Sequence, residues 1–247
     1  MIVTTLGTSS PYPRPHDPCS SFLLDCAGTK LWIDAGAGTL TALLEQSSLE
    51  QLAAVWISHT HADHFSDLAV AFYALRFGGI ERPPLTVFGL PGWAERLRAF
   101  VTHNRRSPLE DVFDIREIVD RDLVVVDNLT LTGIRVRHDA ECFGLRVQGE
   151  GRVVAYTGDT GLCDGLTALA SEAHLLISEA GYGLAENETD EVHLTAGQAG
   201  TVAAMGNVDL LLLTHLARAD PQQCVDAAVA AGARSVLAAR PGLAVDV

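Results

Sequence analysis

The run AVWISHTHADHFSDL, residues 54–68, sets His59, His61, Asp63 and His64 directly behind an apolar stretch. If a strand ends near Ser58, His59 and His61 lie two apart on extended backbone and point to the same side. Asp63 and His64 then fall where the next helix begins, and a carboxylate is favourable in a first turn. Four ligand-type side chains therefore converge from one strand-to-helix turn. Imidazole and carboxylate donors suit Zn²⁺, with Mn²⁺ or Fe²⁺ as alternatives. A lone histidine is ordinarily a surface or hydrogen-bonded residue, but this density behind a buried strand leaves that account little room.

The pattern recurs downstream. GIRVRHDAE ends a strand with His138, VVAYTGDTG ends one with Asp159, and DLLLLTHLA ends one with His215. A buried sheet delivers strand ends to a common rim, so these residues complete two sites. His59, His61 and His138 would hold one ion and Asp63, His64 and His215 the other, with Asp159 bridging. The expectation is two divalent ions per chain, Zn²⁺ first. Two cations about 3.5–4 Å apart can share a hydroxide, generate it near neutral pH and clamp the oxygens of an in-line displacement.

The elements that must position these groups can be read from pattern. Apolar β-branched runs predict strands at 2–6, 20–26, 30–36, 53–58, 85–90, 113–118, 123–126, 129–138, 143–148, 152–160, 175–180, 210–215 and 235–239. Helices are expected at 40–46, 65–77, 91–102, 163–170, 195–204 and 221–231. Two strand-rich halves, each finished by helices, suggest two facing sheets with helices outside. No linker-like composition interrupts residues 1–247, which read as one α/β domain.

Composition narrows the function. Seventeen basic against 31 acidic residues give a formal charge of −14, an unsuitable field for a long polyanion, whose binding depends on basic neutralisation of phosphates. A small anion held by metal remains open. Five scattered cysteines without a close Cys-x-x-Cys pair read as reduced thiols. With no signal-peptide pattern at MIVTTLGTSSPYPRP and no span-length apolar run, the expected setting is the cytoplasm, away from membranes.

The ordered set HTHADH, His138, GDTG with Asp159 and LLLTH with His215 resembles the metallo-β-lactamase superfamily over almost the entire chain. That resemblance implies an αββα sandwich with a dinuclear site at one edge. ISEAGYG followed by VHLTAGQAG is similar to the ribonuclease Z-like branch. Thr195 and Gln198 are explained by a capping box alone, and a histidine before a helix is ordinarily structural. By the resemblance, however, Glu179 orients His193, and His193 is the candidate general acid or oxyanion donor; in the two-cation reading Asp63 helps position the attacking hydroxide. The branch usually carries His before its Glu-Ala pair, where this chain has Ser178.

Three features separate the chain from tRNA 3′-processing members. Only residues 139–158 lie between His138 and Asp159, room for a hairpin and not for the tRNA-clasping arm. Pro15, Asp17 and Pro18 stand where those enzymes carry basic and Asn residues, and the net charge has the opposite sign. The layout looks closest to compact members that hydrolyse cyclic nucleotides. The resulting expectation is a homodimeric dinuclear-metal phosphodiesterase for a small diester such as a 3′,5′-cyclic nucleotide. The alternatives are a tRNA-processing-like endoribonuclease, a thioesterase or lactonase on the same fold, and a metal-bound sensor without catalysis.

Other residues have plainer readings. Arg105 and Arg106 could reach a phosphate but read first as a solvated pair. Phe72, Tyr73 and Phe77 recur at helical spacing as core or dimer contacts. Phe143 is either pocket lining or strand packing. His16 sits in a loop expected to face the site, His103 and His174 are ordinary, and Cys142 is not spaced as a ligand.

Overall fold

The computed structural model describes residues 1–101, 109–185 and 192–247; Arg105, Arg106 and His103 lie outside the described residues. Strands β1 (Ile2–Gly7), β2 (Ser21–Cys26), β3 (Thr29–Ile33), β4 (Leu52–Trp56), β5 (Leu85–Gly89) and β6 (Phe113–Glu117) build the first sheet. Strands β7 (Leu123–Val126), β8 (Leu129–Val136), β9 (Cys142–Gly149), β10 (Arg152–Tyr156), β11 (Leu175–Glu179), β12 (Leu210–Thr214) and β13 (Val236–Ala238) build the second. A short β14 (Ala244–Asp246) adds to the outer edge of β1. Its three residues carry no periodic signal, and its pairing with β1 forms it; no sequence pattern anticipated it.

The helices are α1 (Thr39–Gln46), α2 (Ala62–Phe65), α3 (Asp67–Phe77), α4 (Trp93–Val101), α5 (Gly165–Ala170), α6 (Ala196–Met205) and α7 (Pro221–Ala230). Leu6, Trp32 and Val55 pack with α1, α3 and α4 residues Leu43, Phe72 and Leu97 on one outer face. Phe22, Trp56, Phe143 and Tyr156 fill the space between the sheets. Leu176 and Leu213 pack with α5, α6 and α7 residues Leu169, Ala199 and Cys224 on the other outer face. Three apolar layers thus bind four structural layers into an αββα sandwich.

Strand direction explains the site. β3 to β6 are mutually parallel, as are β10 to β13. β8 and β10 both run antiparallel to β9 and so share a direction. Parallel strands end at one rim, where α/β folds bind ligands. The backbone N–H of Phe143 donates to the Ser58 carbonyl at 3.0 Å and ties the two sheets together there.

The helix expected at 65–77 begins earlier and is divided. The Asp67 N–H donates to the Ala35 carbonyl at 2.7 Å instead of continuing the ladder, leaving α2 as a separate turn carrying Asp63 and His64. Phe72 is core, whereas Tyr73 and Phe77 stack on each other at the surface. Phe143 is buried between the sheets, which settles it as packing. Among the described residues, no helix is long and apolar enough to cross a membrane.

Candidate metal centre

The ligand-bearing turn is held by the loop after β3. A Cβ on Gly36 would lie 1.7 Å from the Asp63 carbonyl oxygen, so only glycine permits this approach. The Ala35 N–H donates to the His64 carbonyl at 2.8 Å. Asp34, fully buried and at φ 58°, organises the surrounding side chains. Its Oδ1 accepts the Ser58 N–H at 2.7 Å, and its Oδ2 accepts the Ser58 hydroxyl at 2.8 Å, the Tyr156 hydroxyl at 2.7 Å and His64 Nδ1 at 2.7 Å. The hydroxyl of Ser58, its proton committed to Asp34, faces His59 Nδ1 at 3.1 Å and accepts from it. His138 Nδ1 donates to the Val192 carbonyl at 3.0 Å.

Each of these bonds occupies Nδ1 and leaves Nε2 as the inward-facing atom. His215 Nε2 lies 3.3 Å from Asp159 Oδ2 and 3.5 Å from Asp63 Oδ2. His64 Nε2 lies 3.4 Å from Asp159 Oδ1, while the His59 and His138 Nε2 atoms lie 3.9 and 4.0 Å from Asp159 Oδ2. His61 turns Nδ1 inward, 3.3 Å from His138 Nε2. Donor atoms of His59, His61 and His138 fall within 4.8 Å of one another, as do those of Asp63, His64 and His215. Asp159 joins His59 and His64 in a third such group.

Burial sharpens the case for cations. His59 Nε2, His64 Nε2, His215 Nε2 and Asp159 Oδ1 are buried without a hydrogen-bond partner, a costly state that a metal at their common focus relieves. The donor set therefore fits divalent ions. His215 also sits at φ 58°, a strained backbone for a non-glycine residue and one retained where function over-determines geometry.

Electrostatics follow from the same packing. Burial penalises ionised Asp159, but His215 and His64 outweigh it and hold the carboxyl well below its usual range. Burial opposes a charged His64, yet Asp159 and Asp34 push it well above its ordinary value. His59 is driven well below its own, first by burial and then by His64. These imidazoles and carboxylates form one compact network with Asp159 at its middle.

His193 and Glu179 stand beside it. Glu179, buried at the end of β11, accepts the Thr160 N–H at 2.8 Å and His193 Nδ1 at 2.8 Å through Oε1, and the Gly181 N–H at 2.6 Å through Oε2. A Cβ on Gly181 would stand 3.0 Å from the His193 ring, so glycine makes room for it. Burial opposes protonated His193, but the hydrogen bond and charge of Glu179 prevail and push it up to about 9. Its ring lies 5.2 and 5.3 Å from those of His138 and His215. The capping box at Thr195 and Gln198, with both reciprocal bonds present, fixes α6 immediately after it.

The family model described as the beta-lactamase superfamily domain matches residues 29–216. The chain belongs to this superfamily. As a superfamily member it is similar to the uncharacterized protein Rv1339 of Mycobacterium tuberculosis, 34% identical over 220 residues, covering 87% of this chain and 80% of the relative. It is also similar to ribonuclease Z of Streptomyces coelicolor, 28% identical over 280 residues and covering 93% and 92% of the two chains. The crystal structure of the metallo-β-lactamase fold protein YhfI from Bacillus subtilis superposes with a TM-score of 0.88 at 23% identity, over 99% of both chains. At that identity the likeness speaks for the fold. This β-lactamase superfamily protein is a metallo-hydrolase with His/Asp clusters able to hold metal ions.

Of the residues the sequence singled out, the structure gathers His59, His61, Asp63, His64, His138, Asp159, His193, Glu179 and His215 at one rim. His16 instead lines a cavity of about 400 Å³ with Thr5, Pro18, Gly38 and Thr41, none of them a ligand residue. His174 Nδ1 accepts the Val153 N–H, a structural role. Cys142 is buried under the site, its thiol pushed well up by burial and then by Asp159. Asp34, Ser58 and Tyr156 were not anticipated. Asp34 carried the same signal as the ligands, an acid at the tip of an apolar strand in KLWIDAG.

Asp34→Ala should leave the buried His64 without its partner and lower stability by roughly 3–5 kcal/mol. Tyr156→Phe, which removes one hydroxyl from the same oxygen, should cost only about 1 kcal/mol. Urea unfolding of the metal-free protein measures both, and equal losses would remove Asp34 from its organising position.

Proposed function

We propose that residues 1–247 act as one dinuclear-metal phosphodiesterase domain for a small diester, a 3′,5′-cyclic nucleotide being the best fit. His59, His61 and His138 hold one divalent cation and Asp63, His64 and His215 the other, with Asp159 between them. Zn²⁺ is the expected ion, and Mn²⁺ or Fe²⁺ suits the same donors. When bound, the ions supply Lewis acidity and lower the pKa of water.

The protein's own residues divide the remaining work. Asp63, whose Oδ2 also lies 3.5 Å from the Ser10 hydroxyl, orients the attacking water. His193, held at Nδ1 by Glu179, presents Nε2 to the departing oxygen and donates its proton there. That pair is the observation that carries the phosphodiester reading, because an alkoxide leaving group needs a proton and Glu179 keeps one on His193.

Two features support a small substrate. The β9–β10 hairpin occupies the interval between His138 and Asp159, and the chain's charge is −14. The ribonuclease Z relative favours a second reading, cleavage of an RNA diester by the same machinery. A cytoplasmic homodimer belongs to the proposal, supported by the exposed Val70, Tyr73 and Phe77 of α3; its mass in solution checks the assembly.

The decisive experiment assays the purified chain, loaded with Zn²⁺ or Mn²⁺, against cyclic AMP, cyclic GMP, bis(p-nitrophenyl) phosphate, a tRNA precursor with a 3′ trailer, a thioester and a lactone. Turnover of the small diesters, lost on chelation and restored by metal, is the expected result. Thioester or lactone turnover without any diester turnover would replace the proposal, and tRNA cleavage alone would select the second reading.

A further inference from the structure

The imidazoles gathered at the rim have their outer nitrogens secured unequally. His64 Nδ1 is held by Asp34, His59 Nδ1 by the Ser58 hydroxyl, His138 Nδ1 by the Val192 carbonyl and His193 Nδ1 by Glu179. Such outer partners fix the ring and its tautomer, and a carboxylate in that position also raises the basicity of the coordinating nitrogen. His61 is different in two respects. It turns Nδ1 inward, so Nε2 is its outer atom. Its side chain is also 41% exposed, whereas those of His59 and His64 are fully buried and that of His138 nearly so. Packing alone holds it least.

The atom facing His61 Nε2 is Asp139 Oδ1, at 3.6 Å. The same oxygen lies 3.1 Å from His138 Nε2, so it stands at the rim of the His59–His61–His138 group. In that group His59 Nε2 is buried and without a hydrogen-bond partner. Asp139 follows His138 directly, so strand β8 delivers the third histidine and this carboxylate together.

We propose that Asp139 is the positioning residue for the outer cation. Its carboxylate pairs with the outer Nε2 of His61 at ion-pair distance, holds the ring with Nδ1 turned inward, and makes the exposed histidine a stronger donor. The inference rests on the two-cation reading of the site. It has a consequence for that reading: the two ions are held unequally, and the outer one depends on a surface carboxylate.

The test is metal binding, read independently of turnover. Zn²⁺ titration in competition with a chromophoric chelator, and the d–d absorption of the Co²⁺-substituted protein, should both report two sites in the parent chain. Asp139→Ala should weaken one site by about 10- to 100-fold and alter one Co²⁺ signature, leaving the other unchanged. Asp139→Asn keeps an oxygen facing His61 Nε2 and should lose less than the alanine variant. Because Asp139 is 61% exposed, the melting temperature of the metal-free chain should not move.

Two full-affinity sites in Asp139→Ala would overturn the inference while leaving the two-cation reading intact. An asparagine variant as damaged as alanine would make Asp139 a direct ligand and overturn the positioning role. A parent chain that binds no Zn²⁺ would overturn the two-cation reading and this inference with it.

Discussion

Replacing Asp159 by alanine should abolish the proposed two-ion site, with hydrolysis falling by more than about 10²-fold. Loss of a residue that merely orients a ligand costs 10–100-fold, and Asp159 reaches the ligand atoms themselves. Its two oxygens face the Nε2 atoms of His59, His64, His138 and His215 at 3.3 to 4.0 Å. With the carboxylate gone, those imidazoles lose the one carboxylate all four share, while Asp63 still faces His215 and His64, and Asp34 still holds His64. Asp159→Asn preserves the shape and separates charge from packing. Metal content after gel filtration and turnover of bis(p-nitrophenyl) phosphate are the readouts. A variant that retains both ions and full activity would end the proposal that Asp159 joins the two sites.

The second large effect is selective for the leaving group. His193→Ala should reduce cyclic AMP hydrolysis by about 10²- to 10⁴-fold, the usual contribution of a positioned general acid. The same variant should reduce bis(p-nitrophenyl) phosphate turnover by less than about tenfold, because p-nitrophenolate departs without a proton. Glu179→Ala should show the same selectivity, since it frees Nδ1 and removes the charge that keeps the imidazole protonated. Equal losses on both substrates would instead assign His193 to phosphate binding. Kinetics with each substrate at saturating concentration distinguish these outcomes.

The contrast between Asp159 and Asp34 shows how far the sequence could be read. Both are acids at the tips of apolar strands, in AYTGDTG and KLWIDAG. Asp159 was legible because a parallel series of strand tips, ending in His138 and His215, shared its pattern. Asp34 was not, because its importance depends on the β3–β4 register. Ile33 pairs with Trp56, which brings Asp34, one residue beyond Ile33, within hydrogen-bonding reach of Ser58, two residues beyond Trp56. A sheet register between strands separated by α1 is a tertiary fact.

Phe143 makes the same point from the other side. Its position beside a ligand strand fitted a pocket wall and a packed strand equally, and only the facing sheet decided that it lies in the core. The helix at 65–77 was legible as an apolar period, but its division at Ser66 came from the Ala35 carbonyl, which captures the Asp67 N–H from outside the segment. His61 was legible as a ligand, whereas Asp139 was not singled out, because neither spacing nor composition links residues 61 and 139.

By itself the sequence determined the chemistry available: which residue types end which apolar strands, and hence a metal site at the rim of two facing sheets flanked by helices, while the αββα hydrolase reading rested on the superfamily resemblance. That is local information, carried by strand period and by donor atoms in short spans. The tertiary structure alone decided which nitrogen of each imidazole faces inward, which carboxylates hold the outer nitrogens, and how closely Asp159 approaches four rings at once. Those depend on distances between segments far apart in the chain, which are set by sheet register and packing of the three apolar layers.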